Sequence, residues 1–192
     1  MELVFATNNQ HKIREIQQIL GSEFHLLSLE QIGHNMDIPE TSPTIEANSM
    51  EKAAYIYQKY QMNCFADDTG LEIEALAGRP GVFSARYAGD EKDMDKNIEK
   101  VLFELKDQKN RKARFKTVIS LILNGERFQF EGLIYGAILE KKTGNNGFGY
   151  DPVFKPDGYN ISFAQMESGI KNKISHRGIA VIKLADFLKS IQ

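Results

Sequence analysis

Leu3-Val4-Phe5-Ala6-Thr7-Asn8-Asn9-Gln10-His11-Lys12-Ile13-Arg14-Glu15-Ile16-Gln17-Gln18-Ile19-Leu20 is the stretch whose reading decides the fold class. Leu3 to Ala6 is a short apolar run, the pattern of a buried strand. Thr7-Asn8-Asn9 breaks it, and Ile13, Ile16 and Leu20 then recur at helical spacing with Lys12, Arg14, Glu15 and Gln17 toward water. Gly21 suits a helix stop. Phe24 to Leu29 offers a second strand, so the chain opens strand, helix, strand.

Outward from there, residues 30–42 carry no clear periodicity and end in Pro39-Glu40-Thr41-Ser42, a loop. Ser42-Pro43 reads as an N-cap with proline in the first turn of a helix reaching about Tyr60. Cys64-Phe65-Ala66 reads as a short buried strand ending in the turn-forming Asp67-Asp68-Thr69-Gly70. Leu71 to Leu76 then alternates as a half-exposed strand. Residues 93–106 form an amphipathic helix through Ile98, Val101, Leu102 and Leu105. Residues 114–123 and 127–139 form two long strands joined by Asn124-Gly125, a strong hairpin signal. Gly144 to Gly149 reads as a flexible loop. The last helix runs from near Ser175 to Leu188, with Ile179, Ile182, Leu184 and Leu188 inward. This order predicts an α/β fold, a mixed sheet flanked by helices. No repeat or low-complexity linker interrupts residues 1–192, so one domain is expected.

Composition narrows the function classes. The 192 residues are 42% hydrophobic and 26% charged, an ordinary folding composition. Lys and Arg number 24 against 26 Asp and Glu, a net charge of −2, which disfavours a general nucleic-acid surface. A single cysteine, Cys64, excludes an internal disulfide and fits a reducing compartment. The first twelve residues lack the charged-then-apolar pattern of a secretory signal, and no apolar run approaches the ~20 residues of a membrane span. A soluble, cytoplasmic protein is expected.

Four segments could carry chemistry, and each also has an ordinary reading. Thr7-Asn8-Asn9 with Lys12 stands where a helix N-terminus offers free N–H groups to a phosphate, though asparagines also simply cap helices. Asp67-Asp68 offers an oxygen-rich Mg²⁺ site with room for phosphate oxygens, though aspartates also suit metal-free turns. Gly147-Phe148-Gly149-Tyr150-Asp151-Pro152 offers stacking rings and an acceptor for a base edge, or a loop whose aromatics plug the core. Lys171 with Ser175-His176-Arg177-Gly178 offers an anion and base-edge site, or a capped helix with solvated charges. Together they are the parts of a metal-dependent nucleotide hydrolase.

Thr7-Asn8-Asn9-x-x-Lys12, Ala66-Asp67-Asp68-Thr69-Gly70-Leu71, Pro80-Gly81-x-x-Ser84-Ala85-Arg86-Tyr87, Gly147-Phe148-Gly149-Tyr150-Asp151-Pro152 and Ser175-His176-Arg177-Gly178, in that order, resemble the inosine triphosphate pyrophosphatase family. The resemblance implies an elongated mixed sheet, two lobes around a central cleft, a homodimer, and Mg²⁺-dependent hydrolysis of ITP, dITP and XTP to the monophosphate and pyrophosphate. By motif, Thr7, Asn8, Asn9, Gln10, His11 and Lys12 would contact the triphosphate, and Lys52 and Lys171 would bind phosphates. Asp68 would be the general base and a metal ligand, with Glu40 the second metal carboxylate. Thr69 and Arg86 would touch the substrate, and Phe148, Gly149, Tyr150 and Asp151 with His176 and Arg177 would frame the purine. Asn8 departs from the family's usual glycine, which puts in question how closely phosphate approaches there. Two other readings are a related pyrophosphatase acting on dTTP and UTP, and a nucleotide sensor without turnover. Substrate profile separates the first, and the Asp67-Asp68 pair argues against the second.

Overall fold

The computed structural model describes residues 1–21 and 23–191 of the chain. The elements are β1 (Glu2–Phe5), α1 (Gln10–Leu20), β2 (His25–Leu27), α2 (Ile45–Tyr60), β3 (Cys64–Ile73), β4 (Pro80–Gly81), α3 (Met94–Glu104), β5 (Lys112–Leu123), β6 (Glu126–Ile138), β7 (Phe154–Pro156), α4 (Ser168–Ile174) and α5 (His176–Ser190). Among the described residues, seven strands make one sheet in the order β2-β1-β3-β5-β6-β7, with β4 on β3. β1 runs parallel to β2 and β3, while the β3/β4 and β6/β7 pairs are antiparallel. The mixed sheet and its flanking helices are as the sequence predicts.

The chain divides into two compact units. Unit 1 comprises Met1–Asp68, Thr117–Gly132 and Arg177–Gln192, and unit 2 comprises Thr69–Lys116 and Leu133–His176. In unit 1 the two-residue period of a strand sends successive side chains to opposite faces of the sheet. Leu3, Phe5 and Phe65 point to one face and pack with Ile16 and Leu20 of α1 and Leu184 and Leu188 of α5. Val4, Ala6, Cys64 and Ala66 point to the other and pack with Ala53 and Ile56 of α2. The register pairs Val4 with Cys64 and Phe5 with Phe65, so the faces stay matched across strands. Unit 2 has its own core, in which Leu71, Ile73, Phe115 and Phe154 pack with Ile98 and Val101 of α3.

Several local expectations are corrected. Asp67 to Gly70 is not a turn: β3 continues through it to Ile73, and Glu74–Leu76 is a short 3₁₀ turn. β3 lies between β1 and β5 in the sheet, and its place there overrides the turn preference of Asp and Gly. The N-cap of α2 is Thr44, whose side chain accepts from Ala47 N, rather than Ser42. The predicted final helix is α5, and Ser175 separates it from the short α4 that the sequence reading did not separate out. In α5, Ala180 and Val181 are buried and Ile182 faces out, so its inward stripe is shifted from the expected one. The hairpin is confirmed in detail, with positive φ at both Asn124 and Gly125 as a tight primed turn requires. No described helix is long and apolar enough to cross a membrane.

Candidate active site

The junction of β1 and α1 is built by its own polar residues. Thr7 Oγ1 accepts from Asn9 N at 3.2 Å, and Asn9 Oδ1 accepts from His11 N and Lys12 N at 3.0 and 3.2 Å. Asn9 is therefore the helix cap, satisfying two N–H groups that have no partner within the helix. Asn8, Gln10 and His11 are exposed around it. Lys12, one turn in, is not solvated: its Nζ lies 2.9 Å from Asp67 Oδ1.

The strand period then separates the two adjacent aspartates. Asp67 points to the face of α1 and α5, where Arg177 Nε lies 3.5 Å from its second oxygen and Arg177 Nη1 lies 2.5 Å from Glu15 Oε2. Burial alone would push the Asp67 carboxyl up, but Lys12, Arg177 and Lys52 together hold it down at about 2. Burial lowers the Lys12 ammonium, and Asp67 only partly offsets this. Asp67 is thus a fully ionised anchor.

Asp68 points the other way, toward α2. Lys52 Nζ lies 3.6 Å from Asp68 Oδ1 and 2.6 Å from Glu40 Oε1, bringing both carboxylates to one cation. Asp68 Oδ2 is buried and has no hydrogen-bond partner. Burial raises the Asp68 carboxyl, and Lys52 and Lys12 do not fully counter it. Lys52 itself is raised, because Asp68 and Glu40 outweigh its burial. No cluster of three or more His, Cys, Asp or Glu side chains able to hold a metal is found among the described residues. Two carboxylates nevertheless suit Mg²⁺, which commonly takes one or two and fills its octahedron with water and phosphate oxygens. The open Asp68 Oδ2 is a hard donor with a free lone pair, so the residues fit the ion.

In unit 2, the glycine-rich segment is a built loop rather than a flexible one. A Cβ on Gly147, whose φ is +76°, would fall 2.0 Å from Asp151 Oδ2. That oxygen accepts from Phe148 N at 2.8 Å and lies 2.7 Å from Lys171 Nζ. The ammonium of Lys171 also sits over the Phe148 and Phe163 rings, 5.2 and 5.8 Å from their centroids. Tyr150 donates to Ser84 O at 2.9 Å, and burial raises its hydroxyl. His176 stacks on Phe115 with centroids 4.4 Å apart. Arg86 is half-buried with its guanidinium over Phe83, and Thr69 is half-buried on β3.

The structure therefore gathers Lys12, Glu40, Lys52, Asp67, Asp68 and Arg177 in unit 1, and Phe148, Gly149, Tyr150, Asp151, Lys171 and His176 in unit 2. Arg177, which the resemblance sets with His176 at the purine, has its guanidinium on Glu15 and Asp67. Glu15 escaped the sequence reading, which set it toward water. Its position three residues after Lys12, on the same helix face, was the available signal.

The model of the Ham1 family matches residues 3–187. The chain belongs to the Ham1 family. A Flavobacterium johnsoniae protein named dITP/XTP pyrophosphatase is 55% identical over 188 residues, covering 98% of this chain and 98% of its own. A Christiangramia forsetii protein of the same name is 56% identical over 188 residues, covering 98% and 99%. The solved Ham1 protein of Staphylococcus aureus superposes with a TM-score of 0.91 at 38% identity, covering 100% of both chains. The Ham1 family match thus takes in residues of both units.

Proposed function

We propose that this chain is a Mg²⁺-dependent pyrophosphohydrolase that cleaves ITP, dITP and XTP to the nucleoside monophosphate and pyrophosphate. The observation that carries the reading is Asp68 Oδ2, a buried carboxylate oxygen without a hydrogen-bond partner, beside a lysine shared with Glu40. In this reading Asp68 accepts the proton of the water that opens the α–β anhydride, a role worth about 10²–10⁴-fold for a positioned base. Glu40 and Asp68 would hold the Mg²⁺, which when bound would offset the negative charge of the phosphate oxygens. Lys12 and Lys52 bind the same oxygens, and the exposed Asn8, Gln10 and His11 meet the triphosphate at the start of α1. Arg177 keeps Asp67 in place beneath Lys12.

The purine meets aromatic and basic side chains in this reading. Phe148 and Tyr150 supply ring surface, His176 supplies a donor suited to a 6-carbonyl, and Lys171 binds phosphate. Thr69 and Arg86 contact the rest of the substrate. Adenine carries an amino group at that position, which leaves a buried donor unpaired at a cost of roughly 1–3 kcal/mol. The resemblance to the family also supports a homodimer, and the single buried thiol of Cys64 suits the reducing cytoplasm.

A pyrophosphate-release assay with ITP, XTP, GTP, ATP and dTTP, with and without Mg²⁺, tests the whole reading. ITP and XTP are expected to be cleaved at least ~10-fold faster than ATP, as a 1.4 kcal/mol donor penalty requires, and only with the metal. Equal rates with ATP would remove the purine-edge account, and full activity in EDTA would remove the metal. A sedimentation mass of one chain would remove the dimer.

A further inference from the structure

Glu40 stands on irregular chain that forms no regular element of its own, yet it is held within 2.6 Å of Lys52. Its neighbours show how. Thr41 N and Thr41 Oγ1 both donate to Glu51 Oε2 at 3.4 Å, and Ser42 Oγ donates to Glu51 Oε1. Ser42 N donates to Asn48 Oδ1 at 2.9 Å, and Asn48 is 1% exposed. Asn48, Glu51 and Lys52 follow one another at i, i+3 and i+4 on α2, so one helix face carries both the clamp and the cation that Glu40 meets. The hydrogen bond from Ser42, followed by those from Thr41, holds the Glu51 carboxyl below its ordinary range, so it stays an acceptor at neutral pH.

We propose that Asn48 and Glu51 are positioning residues that hold the Glu40 loop against α2, so that the Glu40 carboxylate shares a divalent cation with Asp68. The inference rests on the metal reading given above and adds to it the groups that set metal affinity without touching the ion. Residues that orient metal ligands in this way typically change affinity 10–100-fold when removed. A flexible Glu40 would have to be ordered at each binding event, and the clamp removes that entropic cost in advance.

The test uses Mn²⁺ alone as the probe, with binding to the full chain followed by loss of the free-ion electron paramagnetic resonance signal. Glu51→Ala is expected to weaken Mn²⁺ binding at least ~10-fold with an unchanged melting temperature. Glu51→Gln, which keeps the Oε1 acceptor for Ser42, should recover most of the loss. Ser42→Ala removes the other end of that bond, so the double variant Ser42→Ala/Glu51→Ala should bind no worse than the weaker single one. Glu40→Gln separates the two layers of the argument. If Glu40→Gln loses binding while Glu51→Ala stays within twofold of the unaltered protein, the clamp is overturned and the metal reading stands. If Glu40→Gln also binds as the unaltered protein does, or if the unaltered protein binds no Mn²⁺, both are overturned.

Discussion

Asp67 and Asp68 are neighbours in sequence with opposite chemistry, and substitution should separate them. The Asp68 carboxyl is raised by burial, so folding works against its charged form. Asp68→Asn is therefore expected to fold as well as the unaltered protein, or better, at pH 7 while losing at least ~100-fold in turnover. A melting curve beside a steady-state rate checks both halves. Asp67→Asn should do the reverse first: it leaves Lys12 and Arg177 without their shared charge, a loss of about 3 kcal/mol for a broken buried pair, read as a lower urea midpoint. The acid limb follows from the same group. Its folded value of about 2 lies below the ordinary 3.8, so its stabilisation is complete above the ordinary value and disappears as pH falls from there through about 2. Between pH 4 and 2 the urea midpoint of the unaltered protein should fall more steeply than that of Asp67→Asn. Equal slopes would mean that Asp67 is not held down in the fold. None of this was legible in the residues themselves. The turn preference of Asp and Gly hid the strand, and the Lys12–Asp67 contact spans 55 positions and exists only once β1 and β3 are in register.

At the scale of elements, local patterns with a strong internal signal were legible and those settled by distant packing were not. The period of α1 and the Asn124-Gly125 turn came through because each is fixed by its own residues. The start of α2 did not, because Ser42 is drawn into contacts with Asn48 and Glu51 and leaves capping to Thr44. The glycine-rich loop looked flexible, since nothing local announces that Asp151 and Lys171 brace it from within unit 2. That bracing makes Gly147→Ala informative. The added carbon would meet Asp151 Oδ2 at 2.0 Å on a backbone with φ of +76°, so the loop must rearrange. Because Gly147 is outside the hydrophobic core of unit 2, the fold should survive. KM for ITP is expected to rise about 10-fold, equivalent to about 1.4 kcal/mol, within the range of an overpacked site. An unchanged KM with an unchanged circular dichroism spectrum would detach the loop from purine binding.

For the whole molecule, each unit is assembled from separated stretches of chain. Unit 1 takes Ile119, Leu121 and Leu123 from β5 and Leu184 and Leu188 from α5 to close the core begun by Leu3, Phe5 and Phe65. A fragment ending at Lys116 lacks all five of those side chains. At roughly 1.5–3 kcal/mol for each buried aliphatic side chain, that loss is comparable to the usual stability of a whole domain. The fragment should show an unfolded circular dichroism spectrum, and a cooperative melt would refute the shared core. The alternation along β3 has a further consequence, one of parity. From Leu3 to Ala6 and from Cys64 to Asp68, side chains at odd positions face α1 and α5 and those at even positions face α2, so Asp67 and Asp68 take their roles from counting alone. Deleting one residue among Cys64–Ala66 would turn each aspartate to the opposite face while leaving every functional residue in the sequence. The strand can therefore be lengthened or shortened ahead of the aspartates only by twos if each is to keep its face.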